Sequence, residues 1–89
     1  MEIVYHPQVI KNDIPKIDKI SRKKIQLAIE YKLLNPTVYG IPLKGTLKSF
    51  WKLRVGDYRV VYTILKNKIA VLVIAHRKEV YSVAERRVK

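Results

Sequence analysis

The chain has 89 residues, in which 19 Lys and Arg face seven Asp and Glu, giving a formal net charge of +12. This length fits one domain, residues 1–89, with one modest core and no room for a deep substrate cavity. The charge favours a polyanionic partner: RNA, DNA, an anionic membrane surface or an acidic protein. The absence of cysteine excludes disulfides and thiolate chemistry and is compatible with the cytoplasmic location that we expect.

No segment of the sequence has the pattern of a targeting or membrane-spanning element. The first five residues lack the basic start and the apolar run of a signal peptide. The longest apolar run, Ile69 to Ala75, is far shorter than a bilayer span requires. We therefore expect no membrane partner.

The first strand is predicted at Glu2 to His6, and Pro7 ends it. From Gln8 onward the apolar residues follow a helical period. Pro15 lies inside this stripe and should kink or split the helix, because proline has no N–H to donate. The predicted stripe consists of Val9, Ile10, Ile14 and Ile17.

A second helix is predicted to start near Ser21, a residue type that often serves as an N-cap. The sequence Asn35-Pro36 should end this helix. Its apolar face is predicted to consist of Ile25, Ala28, Ile29 and Leu33. The two helices should form an antiparallel hairpin on a sheet.

After a predicted loop over residues 37–49, three strands follow, and a short basic helix or tail ends the chain at residues 80–88. The strands are predicted at Phe50 to Val55, Tyr58 to Leu65 and Ile69 to Ala75. The resulting order, β-α-α-β-β-β, predicts an α+β fold with a mainly antiparallel sheet. The helical hairpin should cover one face of the sheet and leave the other face open.

A turn at Gly56-Asp57 would place Arg54 opposite Arg59 and Lys52 opposite Val61. Like charges directly opposite each other destabilise a strand pair. An anion held between the two arginines would remove this penalty, but splaying of the long side chains into solvent would also relieve it. The pairing alone does not decide between these alternatives.

A second basic cluster, His76-Arg77-Lys78-Glu79-Val80-Tyr81, follows the last strand and should lie beside the hairpin. Cations there could stabilise a phosphorane, and Tyr or His could move protons. For His76 alone a solvated strand end is the more ordinary explanation, and Tyr81 could equally be a core aromatic.

Three aromatic or imidazole side chains invite a functional interpretation. Phe50 shares the predicted face of Lys52 and could stack on an unpaired base. Trp51 should face the helices as a core residue, and His6 is more typical of a structural histidine.

The sequence contains neither a metal-ligand cluster nor a Gly-rich phosphate loop. Phosphodiester chemistry would therefore run without a metal or cofactor and use the 2′-hydroxyl of RNA as nucleophile. The product would end in a 2′,3′-cyclic phosphate, and DNA would not be cut by this route.

Three segments together resemble the RelE/ParE toxin superfamily, and they resemble its RelE branch more closely because Arg77 and Tyr81 are present. They are Leu43-Lys44-Gly45, the stretch from Trp51 to Tyr62 that reads WKLRVGDYRVVY, and the cluster His76 to Tyr81 that reads HRKEVY. The resemblance implies a toxin that cleaves mRNA in the ribosomal A site and is paired with an antitoxin protein.

By position, the resemblance assigns transition-state stabilisation to Lys52 and Arg59. Arg77 would be a general acid or phosphate clamp, and Tyr81 the general base. We expect RNA contacts from Lys44, Lys48, Phe50, Arg54, His76 and Lys78.

One position departs from the RelE pattern, which has a second lysine two positions before Lys52. This chain has Phe50 there, and Lys48 is the available substitute. A ParE-like toxin that inhibits DNA gyrase without catalysis, or a plain basic RNA-binding domain, are the alternatives.

Overall fold

Five strands form one sheet in the computed structural model, which describes residues 1–88. The strands are β1 (Glu2–Tyr5), β2 (Ile41–Pro42), β3 (Trp51–Val55), β4 (Tyr58–Ile64) and β5 (Lys68–His76). Their order across the sheet is β1-β5-β4-β3-β2, and only the β1–β5 pair is parallel among these strands. The predicted α+β fold with a mainly antiparallel sheet is confirmed, and β2 is added to the predicted order.

Helical segments lie on both faces of this sheet. They are α1 (a π-helical turn, Val9–Asp13, continued by Ile14–Lys16), α2 (Lys19–Lys32), α3 (Pro36–Tyr39) and α4 (Val80–Arg87). The predicted loop over residues 37–49 was wrong, because this stretch contains most of α3, all of β2 and a 3₁₀ turn, Gly45–Leu47. Elements this short carry too few residues to produce a periodic pattern.

The sequence predicted a kink or a split at Pro15, and the structure has a change of helix type just before it, without a break in α1. The N–H of Ile14 bonds to the carbonyl of Val9, five residues back, which closes a wide turn just before the proline. In this wide turn Val9 and Asp13 face inward, whereas Ile10 is 61% exposed. The prediction that Ile10 belongs to the buried stripe was therefore wrong, since it assumed α-helical spacing.

The N-cap of α2 is Asp18, so the prediction of Ser21 was wrong. One carboxylate oxygen of Asp18 accepts a hydrogen bond of 2.9 Å from the backbone N–H of Ser21, three residues along. This bond satisfies a free donor of the first turn. Hydrogen bonding from the Ser21 side chain, and then from its backbone N–H, holds the pKa of Asp18 below its usual value. Ser21 is thus the third residue of the helix, and it supplies the hydrogen-bond donor, whereas Asp18 is the cap.

Two apolar clusters lie on opposite faces of the sheet. The first, under α1 and α2, includes Ile25, Ile29 and Leu33, with Trp51 packed against it as predicted. The second lies under α4 and the 3₁₀ turn and consists of Leu47, Val61, Leu72, Val73, Val80 and Ala84. The predicted open face was therefore wrong: β5 is apolar on both sides, and α4 covers the second side. No helix within residues 1–88 is long and apolar enough to cross a membrane.

Candidate nucleic-acid interface

The hairpin of β3 and β4 has the register that the sequence predicts. Arg54 pairs with Arg59 and Lys52 pairs with Val61. Gly56 has a φ of 59°, whereas Asp57, the second turn residue, has a negative φ. This combination is typical of the type II′ turn, which favours glycine at its first position. The glycine therefore fixes the register that brings the two arginines face to face.

Arg59 bends back onto this turn and does not extend into solvent. Its Nη1 donates to the carbonyl oxygens of Gly56, at 2.9 Å, and of Tyr58, at 2.8 Å. Its side chain is half-buried, while that of Arg54 is exposed. The two backbone acceptors hold the Arg59 guanidinium near the turn, which reduces the like-charge repulsion without a bound anion. Arg54 is left as the accessible cation of the pair.

Lys52 and Tyr81 meet across the second face of the sheet. The Lys52 ammonium nitrogen lies 5.6 Å from the centre of the Tyr81 ring, within the range of a cation–π interaction. Tyr81 belongs to the first turn of α4, and its half-buried ring packs against the second apolar cluster. From the sequence, a catalytic residue and a core aromatic were alternative interpretations of Tyr81. Its position in the structure is compatible with both.

Arg77 lies beside the Gly56-Asp57 turn, because its backbone is tied to the hairpin. Its N–H donates to the carbonyl of Asp57 at 2.8 Å, and its side chain is exposed. The basic strip, defined here as Lys52, Arg54, Arg59 and Arg77, therefore runs from the middle of β3 to the Gly56-Asp57 turn. Residues two apart on a strand are separated by about 6.6 Å, roughly the spacing of phosphates along RNA.

Phe50 and two lysines lie at the other end of the strip. Phe50 is half-buried and packs against the second apolar cluster, which contains Leu47 and Val61. Lys44 and Lys48 are exposed at the two ends of the 3₁₀ turn. Phe50 therefore contributes to the core beneath the strip, and the lysines extend its charge.

His76 lies on the opposite face from the basic strip, unlike its predicted position. It pairs with Tyr58 across β5 and β4, and the two rings meet edge to face with centroids 5.9 Å apart. Its Nδ1 accepts a hydrogen bond of 3.2 Å from the N–H of Lys78, whose side chain is exposed. The alternation of a strand places neighbouring residues on opposite faces, so proximity in sequence to Arg77 did not bring His76 to the strip.

The predictions did not include Asp13 and Arg87, which form a buried ion pair. A signal for each is visible in retrospect. Asp13 stands midway between Val9 and Ile17 at four-residue spacing, where an apolar residue would be expected. Arg87 continues the line of the buried residues of α4. A lone charge in an apolar stripe requires an opposite charge, because an unpaired buried ion is costly.

A metal site is not apparent in the part of the chain that the structure describes. Within residues 1–88, no three His, Asp or Glu side chains cluster closely enough to hold an ion. What the interface offers chemically is a row of cations beside one phenol, an arrangement suited to binding phosphates.

The model of the family "ParE toxin of type II toxin-antitoxin system, parDE" matches residues 3–81. The chain belongs to this family. It is therefore a type II toxin of the RelE/ParE superfamily, as the resemblance predicted. No curated protein matches the sequence.

Solved structures of toxins share the fold. A chain of the RelBE2 toxin-antitoxin complex from Mycobacterium tuberculosis is 22% identical with a TM-score of 0.78, covering 85% of this chain and 96% of that one. A chain of the RelB-RelE complex from Methanococcus jannaschii is 23% identical with a TM-score of 0.70, covering 89% of this chain and 95% of that one. The YoeB dimer from Staphylococcus aureus is 23% identical with a TM-score of 0.69, covering 86% of this chain and 97% of that one.

Proposed function

We propose that this toxin is a RelE-type endoribonuclease that cleaves mRNA in the ribosomal A site and so inhibits translation. The observation that carries the proposal is the position of the Lys52 ammonium beside the Tyr81 ring. This pair places a candidate proton acceptor next to a cation. The neighbouring cations of the basic strip suit a phosphodiester.

The reaction that fits this site is a transesterification within the RNA. The 2′-hydroxyl attacks the adjacent phosphorus, a bond from the 2′-oxygen to phosphorus forms, and the bond to the 5′-oxygen breaks. Tyr81 takes the proton of the 2′-hydroxyl, and Arg77 protonates or stabilises the leaving 5′-oxygen. Lys52 and Arg59 stabilise the extra negative charge of the phosphorane. The products are a 2′,3′-cyclic phosphate and a 5′-hydroxyl, and no water is consumed.

A phenol is a poor base near neutral pH, since it ionises in water only around pH 10. Cations close to the ring lower the free energy of the phenolate. In the proposed complex Lys52 is one of the cations around the ring, and ribosomal components would exclude water there. The proposal therefore requires both residues, because neither alone would activate the 2′-hydroxyl.

The exposed lysines supply the binding part of the proposal. Lys44, Lys48 and Lys78 would contact phosphates of mRNA or ribosomal RNA together with Arg54, and each contact would steepen the salt dependence of binding. Phe50 contributes packing beneath the strip and only its exposed edge to a base. His76, on the other face, could contact RNA only outside the strip.

A cognate antitoxin is the expected protein partner. Several structures with the same fold are toxin-antitoxin complexes, including one of YoeB with YefM. A net charge of +12 favours an acidic segment in that partner.

Programmed ribosomes with end-labelled mRNA test the proposed activity. We expect the wild-type protein to cut in the A-site codon and leave a cyclic phosphate, and a 2′-deoxy substitution at the cut position to abolish cleavage. Arg77→Ala and Tyr81→Phe should bind ribosomes but cleave far more slowly. Intact mRNA after incubation with the folded wild-type protein would refute the proposal.

A ParE-like toxin that inhibits DNA gyrase without catalysis is the second candidate. Two observations favour it: the matching family model is that of ParE, and Arg59 is engaged by backbone carbonyls. A gyrase supercoiling assay separates the two candidates. Inhibition that survives both Tyr81→Phe and Arg77→Ala, together with intact mRNA on ribosomes, would establish this second function.

A further inference from the structure

The edge of β5 loses its strand partner halfway along. β1 pairs with β5 only from Lys68 to Val71, and the last bond of this edge runs from the N–H of His6 to the carbonyl of Val71. Beyond that point β1 offers no partner to the Leu72 carbonyl or the Ile74 N–H. Buried backbone groups of this kind need a hydrogen bond.

Asp13 and Arg87 supply these bonds. Asp13 Oδ2 accepts from the Ile74 N–H at 2.9 Å, and Arg87 Nη1 donates to the Leu72 carbonyl at 3.0 Å. The two side chains are also joined to each other by paired hydrogen bonds of 2.6 and 2.7 Å. One carboxylate and one guanidinium thus continue the edge of the sheet where β1 has ended.

This ion pair is also the second anchor of α4. Val80, Ala84 and Arg87 follow one another at four- and three-residue spacing, so they share the side of α4 that faces the sheet. Val80 fixes the start of the helix in the second apolar cluster, and Arg87 fixes its end about 10 Å away. A helix of eight residues is not stable alone, so its placement depends on its contacts with the second apolar cluster and on this ion pair.

We propose that Asp13 and Arg87 are positioning residues that hold α4 so that the Tyr81 ring lies beside the Lys52 ammonium. Without Arg87, α4 would be held by Val80 and Ala84 alone and would be free to turn about its own axis, which would carry the Tyr81 ring away from Lys52. The bond pattern requires arginine, because the fork must reach both carboxylate oxygens and the Leu72 carbonyl. The catalytic meaning of this placement rests on the proposed function, but the placement itself does not.

Arg87→Lys tests the positioning role, because it keeps the charge and removes the fork. Ring-labelled tyrosine allows the contact between the Tyr81 ring and the Lys52 side chain to be followed by nuclear Overhauser effects. We expect this contact to weaken several-fold in Arg87→Lys, while the signal of the buried Tyr62 ring stays unchanged and reports an intact core. Arg86→Lys, in the same turn but exposed, is the matched control and should leave both signals unchanged.

A cycle of cleavage rates provides the second readout. If Arg87 acts through Tyr81, Arg87→Lys should slow cleavage about tenfold when Tyr81 is present. It should have almost no further effect in a protein that already carries Tyr81→Phe. A purely structural role would give the same loss in both backgrounds.

Each outcome bears on one proposal. A Tyr81–Lys52 contact that persists in folded Arg87→Lys would overturn the positioning role, whatever the activity. A contact that is lost, in a protein whose wild type does not cleave mRNA, would support the positioning role and refute the proposed function. Should Arg87→Lys fail to fold, the pair Asp13→Asn with Arg87→Met removes both charges and is subject to the same criteria.

Discussion

The ammonium of Lys52 lies 5.6 Å from the centre of the Tyr81 ring, although the two residues are 29 positions apart in the sequence. The contact joins β3 to α4 across the second apolar cluster. Both side chains are half-buried at the surface of this cluster. Replacing either residue should therefore change the chemistry of the site and leave the fold intact.

The first prediction concerns this pair. Lys52→Ala should lower the rate of mRNA cleavage by about 10²–10³-fold, because a cation at the developing phosphorane is lost. Tyr81→Phe should lower it by about 10²–10⁴-fold through loss of proton transfer, while its ring packing is retained. Lys66→Ala, at the exposed turn between β4 and β5, is the control and should cleave at the wild-type rate. Single-turnover rates on saturating ribosomes are the measurement, and a wild-type rate in Lys52→Ala would contradict the assignment.

The second prediction concerns Arg54, the exposed member of the arginine pair. Arg54→Gln should reduce the slope of log affinity for RNA against log salt concentration by about one unit, since one phosphate contact is lost. It should also stabilise the fold by a few tenths of a kcal/mol, because it removes a like charge opposite Arg59. Binding titrations at several salt concentrations and urea unfolding test these effects. The exposed Lys11→Gln, on α1, should change neither, and an unchanged salt slope in Arg54→Gln would show that Arg54 does not contact RNA.

The third prediction concerns the close approach of Gly40 to Tyr62. The Tyr62 hydroxyl donates to the Pro36 carbonyl at 2.7 Å, and a Cβ on Gly40 would overlap that hydroxyl and lie 2.7 Å from the same carbonyl. Gly40→Ala should therefore lower the free energy of unfolding by about 2–3 kcal/mol, through strain and a broken buried bond. A Cβ on Gly45 would meet no atom within 4 Å, but the residue has a φ of 65°, so Gly45→Ala should lower the free energy of unfolding by about 1 kcal/mol. Urea unfolding ranks the two, and equal losses would argue against the clash.

The fourth prediction is a pH dependence of stability. Burial raises the pKa of Tyr62 to about 12, above its value in the unfolded chain. The folded state therefore holds the Tyr62 proton more firmly than the unfolded chain does. The resulting contribution to the free energy of unfolding is complete below about pH 10 and is lost as the pH rises from about 10 to about 12. The slope should be about 1.4 kcal/mol per pH unit in that window.

Comparison with Tyr62→Phe isolates this slope from the other tyrosines and the lysines that titrate nearby. The difference in free energy of unfolding between the two proteins should be constant up to about pH 10 and shrink above it. A difference that stays constant to pH 12 would show that Tyr62 ionises equally in both states.

Local patterns were sufficient for the hairpin and for most elements. The Gly56-Asp57 turn determined the register that opposes Arg54 and Arg59, because a two-residue turn leaves only one pairing. The alternation along β3 placed Lys52 on the face of those arginines and Trp51 on the other. The apolar stripe of α2 identified Ile25, Ile29 and Leu33 as core.

Tertiary structure decided the features that depend on contacts between distant segments. The meeting of Lys52 with Tyr81 depends on how α4 packs, and α4 also carries Arg87, whose partner Asp13 is 74 residues away. The helix type around Pro15, the burial of Asp13 and the position of His76 are settled by neighbours that the local pattern does not contain. By itself, the sequence determined the order of the main elements, the hairpin register and the face shared by Lys52, Arg54 and Arg59, since these follow from periodicity and turn geometry. Only the tertiary structure decided how the second face is covered and where Tyr81 lies, because a buried charge takes its position from the partner that neutralises it.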